Sequence, residues 1–268
     1  RTPASTGVAS AFVAMAGLYA VCMLFGAALI RVPADDWKPP AHSLNPSSTQ
    51  TTHTSYVTAD QAWKTPQFWC LWVVLCMNVS AGIGILGQAS KMCSDMFGVS
   101  AAVGGGFAGL LSIFNMGGRF FWSSISDRTG RRTVYCIYFL LAAVLYSLVP
   151  YTQHIQNRTL FVAVTAVIIS MYGGGFATIP AYLRDLFGTG QVGAIHGRLI
   201  TSWSVAAIVG PSLVNYISTA QIAAGTPKAE AWNSTMCLMS GLLLVGLVAN
   251  LLIRPVAHRH FLSTTDSK

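Results

Sequence analysis

AAVGGGFAGLLSIFNMGGRFFWSSISDRTGRRT, residues Ala101 to Thr133, is an apolar, glycine-studded run that ends in a dense basic cluster. About 20 such residues in a helix cross a bilayer, and we expect a span over 101–125. One arginine, Arg119, interrupts the run, and Asp127 follows roughly two helical turns later. At a rise of ~1.5 Å per residue, Arg119 lies about 12 Å deeper than Asp127. If Asp127 marks the membrane surface, Arg119 is inside the hydrocarbon, where an arginine costs about 2.5–3.5 kcal/mol on insertion scales. A cation held there at such a cost asks for a reason.

The rest of the chain shares this character. Of its 268 residues, 53% are hydrophobic and 9% charged, with a mean hydropathy of +0.55. A soluble domain carries roughly a quarter charged residues, so this is an all-α integral membrane protein. The formal charge is +8, but the basic residues sit in short connections between apolar runs. That pattern orients a membrane protein and leaves no basic groove for nucleic acid. The cysteines (Cys22, Cys70, Cys76, Cys93, Cys136, Cys237) lie mostly in apolar runs without metal-ligand spacing and read as buried hydrophobes.

Seven runs can span: 8–30, 67–89, 101–125, 133–152, 159–183, 195–217 and 234–254. Residues 31–65, rich in Pro, Ser, Thr and His, read as an exposed, largely disordered cytoplasmic linker. Thr65 and Pro66 start the next helix well, as N-cap and first helical residue. Lys and Arg concentrate in 31–65, 126–132, 184–198 and the 256–268 tail with its preceding Arg254, which places those segments in the cytoplasm. The amino terminus then faces out, and the membrane expected is the plasma membrane. Asn157-Arg158-Thr159 and Asn233-Ser234-Thr235 are sequons that hug the outer surface and carry little weight.

A weak repeat is visible. Ser94 to Gly98 (SDMFG) and Arg184 to Gly188 (RDLFG) each follow a span, and glycines precede both. The copies are three spans apart and therefore on opposite sides of the membrane. Such a three-plus-three inverted repeat marks secondary transporters. It makes 66–255 one six-helix bundle and leaves 1–30 as the last helix of an amino-terminal half that is missing. The chain begins Arg-Thr-Pro without Met and reads as a fragment of a longer carrier.

Arg119 has two readings: snorkelling to the interface, or facing a water-filled path. Ser112, Asn115, Arg119, Ser123 and Ser126 recur at helical spacing as one polar stripe, which favours the path. Asn78 and Gln88 either line the path or hydrogen-bond between helices. Trp203, among Thr201, Ser202 and Ser204, either touches substrate or packs. In the connection Asp127-Arg128-Thr129-Gly130-Arg131-Arg132, a carboxylate beside the bilayer can pair with arginines and latch helices in one state of a gating cycle. Every Asp and Glu lies in a loop or at a span end, so no mid-membrane carboxylate is available to carry a proton. No nucleophile–base pair, metal constellation or phosphate loop points to an enzyme, a metal or a cofactor.

The Asp127–Arg132 connection resembles the loop signature of the major facilitator superfamily, Gly-x3-Asp-Arg-x-Gly-Arg-Arg/Lys, with Ser123 at its leading Gly. Longer stretches resemble the oxalate/formate antiporter family within it. These are Thr65 to Trp69 (TPQFW), Asn78 to Ala89 (NVSAGIGILGQA), Gly173 to Ala181 (GGGFATIPA), and DLFG at Asp185 with GAIHGR at Gly193. The resemblance implies helices six to twelve of a twelve-helix fold, and transport of a small organic anion by alternating access. It also implies Arg119 as carboxylate ligand, with Asn115, Trp203 and Asn78 as neighbours. The family's oxalate carrier adds a lysine in its eleventh helix, where this chain has Trp203. The similar monocarboxylate carriers have an Asp where this chain has Asn115. One cation suits one carboxylate, so formate, lactate or pyruvate is expected over oxalate or oxalate/formate exchange. The missing Asp argues against proton coupling through this pair. Lipid, the carboxylate and the absent half are the expected partners. The rivals are a seven-helix receptor with an Asp-Arg pair after its third span, which lacks Asn-Pro-x-x-Tyr here, and an inert fragment.

Overall fold

The computed structural model describes residues 7–31 and 55–263, in two compact units. The first unit holds α1, Val8–Leu29, apolar on every side. The second holds α2 (Ala59–Ala62), α3 (Pro66–Leu86), α4 (Ala89–Phe97), α5 (Ala101–Thr129), α6 (Arg131–His154), α7 (Arg158–Phe187), α8 (Val192–Leu199), α9 (Thr201–Ala223) and α10 (Ala231–Leu252). Seven helical spans are long and apolar enough to cross a membrane, with α8 and α9 forming one of them.

Local chemistry starts these helices. The Thr65 hydroxyl accepts from the Phe68 amide ahead of Pro66, Ser100 accepts from Val103, and Asn157 accepts from Leu160. In α3 and α7, 61% of the apolar window is buried, against 22% in α5 and in the α8–α9 span. The first pair is therefore the interior of the bundle, and α5 and α9 keep wide uncovered faces. The main neighbours are α5 with α7 and α3 with α9, α6 with α7 and α3 with α10, and α6 with α10. Exchanging α3 with α7, α5 with α9 and α6 with α10 leaves that set unchanged. The close approaches follow the same exchange: a Cβ on Gly118 would stand 2.1 Å from the Ser170 carbonyl oxygen, and one on Gly210 2.6 Å from that of Ser80.

Several expectations change. Helices α5 and α7 run past the predicted ends at 125 and 183, because hydropathy reports only the bilayer while backbone hydrogen bonding continues to Gly130 and Gly188. The supposed 126–132 loop shrinks to one residue. Gly130 has φ +89 and ψ 148, a conformation essentially reserved for glycine, so the helix must end there. The outer connection after α3 is itself helical, as α4.

Within the expected linker, residues 55–65 are ordered; 32–54 lie outside the described residues. Ser55–Tyr56 pairs antiparallel with Leu262–Ser263, and Val57, Ala59 and Ala62 are buried. The Val57 amide donates to Phe187 O at 2.9 Å, and Ala59 N donates to Gln191 Oε1 at 2.8 Å. An Arg198–Asp60 ion pair at 2.6 Å adds to this strap. A backbone rich in polar residues is ordered here because the ends of α7 and α8 offer it partners. All six cysteines are free; Cys76 and Cys93 are buried, whereas Cys237 lies exposed on α10. Neither sequon presents a ready acceptor: the Asn157 side chain caps α7, and Asn233 Oδ1 is buried in the first turn of α10.

Candidate functional site

Three successive glycines make the site. A Cβ on Gly173 would stand 2.1 Å from Asn115 O of α5, one on Gly174 2.6 Å from the Tyr138 hydroxyl of α6, and one on Gly175 2.7 Å from Asn78 Oδ1 of α3. With Gly118 against Ser170, they let the α5 and α7 backbones touch. That contact sets Arg119, the residue after Gly118, against the next turn of α7.

The Arg119 guanidinium carbon lies over the Phe176 ring, 5.9 Å from its centroid. Phe176 in turn meets Trp203 of α9 at 4.8 Å and 58°, and Tyr172 edge-on at 5.3 Å and 86°. Among the described residues no carboxylate lies within ion-pair distance of Arg119. Arg119 and Trp203 (40% exposed) stand on the uncovered faces of α5 and α9. The result is a cation on an aromatic platform, accessible to an anion and short of a counter-ion. A guanidinium so placed can offer two parallel N–H donors to one carboxylate while its face rests on the ring.

The other sequence candidates divide. Asn115 is half-buried at the α5–α7 crossing, one turn from Arg119. Asn78 is not with them: it is buried behind the platform, in a small cavity shared with Gly82, Tyr138, Tyr146 and Tyr172. Gln88 hydrogen-bonds Asn215 of α9 at 2.9 Å, the interhelical link that was one of its two readings. The polar stripe does not act as a unit. Ser112 and Ser123 donate back to the carbonyls of Ala108 and Arg119 on their own helix, and Ser126 is buried beneath Arg131. Nothing in the sequence marks Phe176 and Tyr172, because an aromatic in an apolar run carries no signal of its own.

At the Arg-rich end the motif residues part in role. Arg131, with a side chain only 10% exposed, binds Asp127 at 2.5 Å and Ser126 Oγ at 2.9 Å, and lies 3.5 Å from Asp185. It thereby ties the ends of α5 and α7 through the start of α6. Asp185 lies in the Arg184–Gly188 stretch that is similar to Ser94–Gly98, and that likeness is the available signal for it. Arg132 donates to Leu251 O at 2.6 Å, and Asn250 joins Arg132 O to the Tyr182 hydroxyl, fastening α10. Arg128 makes no ion pair or side-chain hydrogen bond among the described residues. Replacing Arg131 with alanine removes the cation between Asp127 and Asp185 and leaves Asp185 only its 3.7 Å contact with Arg184; discounted for the exposure of both acids, the expected loss is about 1–2 kcal/mol. Arg128→Ala should stay within about 0.5 kcal/mol. Thermal unfolding of the detergent-solubilised variants measures both, and equal melting temperatures would remove the tie.

The chain matches the profile of the Major Facilitator Superfamily over residues 3–180 and 92–267. It is 31% identical over 156 residues to the oxalate:formate antiporter of Oxalobacter formigenes, which covers 58% of this chain and 37% of that protein. To the MFS-type transporter YhjX of Escherichia coli it is 21% identical over 205 residues, 76% of this chain and 48% of the relative. The chain thus aligns with less than half the length of either. Its seven apolar spans make it a multi-pass integral membrane protein, and the receptor reading gives way to the profile match. With the Asp127–Arg132 junction, the glycine-packed α5–α7 pair and the profile match all in agreement, the chain belongs to the Major Facilitator Superfamily.

Proposed function

We propose that this chain is the carboxyl-terminal part of an alternating-access carrier for small organic monocarboxylates, with Arg119 as the ligand of the substrate carboxylate. The observation that carries the reading is the guanidinium over Phe176 with no carboxylate among the described residues to neutralise it. A cation in a span is expensive unless paired, and an arriving anion supplies the pair. Asn115 is the polar neighbour, Trp203 the apolar wall, and Asn78 supports the platform from behind. We further propose that 66–255 is the six-helix half, that 1–30 is the sixth helix, and that an amino-terminal half supplies the opposite wall. The Arg-rich end is taken as cytoplasmic, with Arg131 and Arg132 as its latch.

One carboxylate satisfies one arginine, while the second carboxylate of a dianion would face Trp203 and lose water without gaining a partner. Formate, lactate and pyruvate are the favoured cargo. The antiporter relative favours a second reading, exchange of oxalate for formate. Counterflow of labelled formate, lactate, pyruvate and oxalate into liposomes holding the full-length carrier separates the two. Stimulation by monocarboxylates with little by oxalate supports the first, and preference for oxalate sinks it. Trp203→Lys adds a cation opposite Arg119 and should raise oxalate counterflow relative to formate about tenfold, the factor that 1.4 kcal/mol of added pairing gives.

A further inference from the structure

From Phe176 to the end of α7, one face of the helix is uncovered. Ala177, Pro180, Ala181 and Arg184 follow one another along it and, with Thr189 and Val192, line an open groove of about 430 Å³. Ala177 and Arg184 are seven residues apart and so share a face. The groove starts at Ala177, the residue after Phe176, and ends at Arg184 about 10 Å further along the axis, at ~1.5 Å per residue.

The arginines at this end differ in what they have left to offer. Arg198 is matched by Asp60 at 2.6 Å, Arg131 lies between two carboxylates, Arg132 is held on a carbonyl, and Arg128, unpaired among the described residues, is not part of the groove lining. Arg184 has only a 3.7 Å contact with Asp185, whose other oxygen already faces Arg131. Its side chain is 55% exposed at the mouth of the groove.

We propose that the Arg184 groove is a cytoplasmic entry site for a small carboxylate, from which the anion passes along α7 to Arg119; this rests on the carrier reading above. Exposure and screening make the site weak. The Debye length is about 8 Å at physiological salt, shorter than the path to Arg119, so Arg184 acts on the anion in the groove and not on the anion once bound centrally. Its work is to raise the local concentration of substrate at the entrance, as a charged cleft does. Thr189 adds a hydroxyl donor at the same mouth.

The test is formate exchange by the full-length carrier reconstituted in known orientation, with substrate varied separately on each face. In Arg184→Gln the cytoplasmic KM should rise about threefold to tenfold while the outer KM and the maximal rate stay unchanged. Arg184→Lys, which keeps the charge, should resemble the parent, and added salt should erase the difference made by glutamine. If Arg184 merely anchors the helix end, glutamine leaves both KM values alone and the entry site is overturned, with the carrier reading intact. Failure of the unmodified carrier to exchange any carboxylate overturns both.

Discussion

Arg119→Gln should reduce carboxylate transport by about 30-fold to 4,000-fold, the consequence of removing one partner of a charge pair worth about 2–5 kcal/mol once the bound anion is enclosed. Glutamine fills similar space and can still hydrogen-bond, so the α5–α7 contact at Gly118 is left in place and the protein should remain folded. Arg119→Lys should lose less, about tenfold, because lysine keeps the charge but gives up the paired donors and the flat contact with Phe176. Initial rates of labelled substrate uptake, normalised to carrier in the membrane, provide the comparison. Unimpaired transport by both variants would remove Arg119 from the substrate site. Loss by both to the same degree would mean that geometry, and not charge, is what the site requires.

The second large effect is expected from one methyl group. Gly173→Ala places a Cβ 2.1 Å from the backbone oxygen of Asn115, and neither partner is a side chain that can turn aside. The helices must separate, and overpacking typically costs about 1–3 kcal/mol, with a backbone-to-backbone clash at the upper end. Since the same contact seats Arg119 over Phe176, transport should fall together with stability. Gly109→Ala is the control: it lies on the facing helix α5 in open space, and alanine there should be neutral or gain up to about 1 kcal/mol of helix propensity. Size-exclusion profiles and melting curves of the solubilised variants distinguish them. A Gly173→Ala protein as stable as the parent would mean that the crossing is wider than the structure places it.

Much of the architecture was legible because membrane helices declare themselves by composition. Each span is a long run with few charges, and the seven runs reappear as seven helical spans. The helix starts at Thr65, Ser100 and Asn157 are likewise local chemistry, set by side chains within three residues of the amides they cap. Helix ends were less legible. Hydropathy falls at Ser126 and at Arg184, yet charged residues continue a helix readily, and the ends wait for Gly130 and Gly188.

The site divides along the same line. That Arg119 is costly where it stands follows from the sequence alone, since an arginine within a span is expensive wherever the neighbouring helices lie. That Asp127 and Arg131 pair is also a local matter, one helical turn apart. Phe176 beneath Arg119, Trp203 against Phe176, Asp185 on Arg131 and the order in residues 55–65 were decided only by the tertiary structure. The first three join helices far apart in the chain, and the last depends on the ends of α7 and α8. The Arg119–Phe176 contact exists because glycines at Gly118 and Gly173 allow the α5 and α7 backbones to meet, a distance that no residue type announces until its partner is in place.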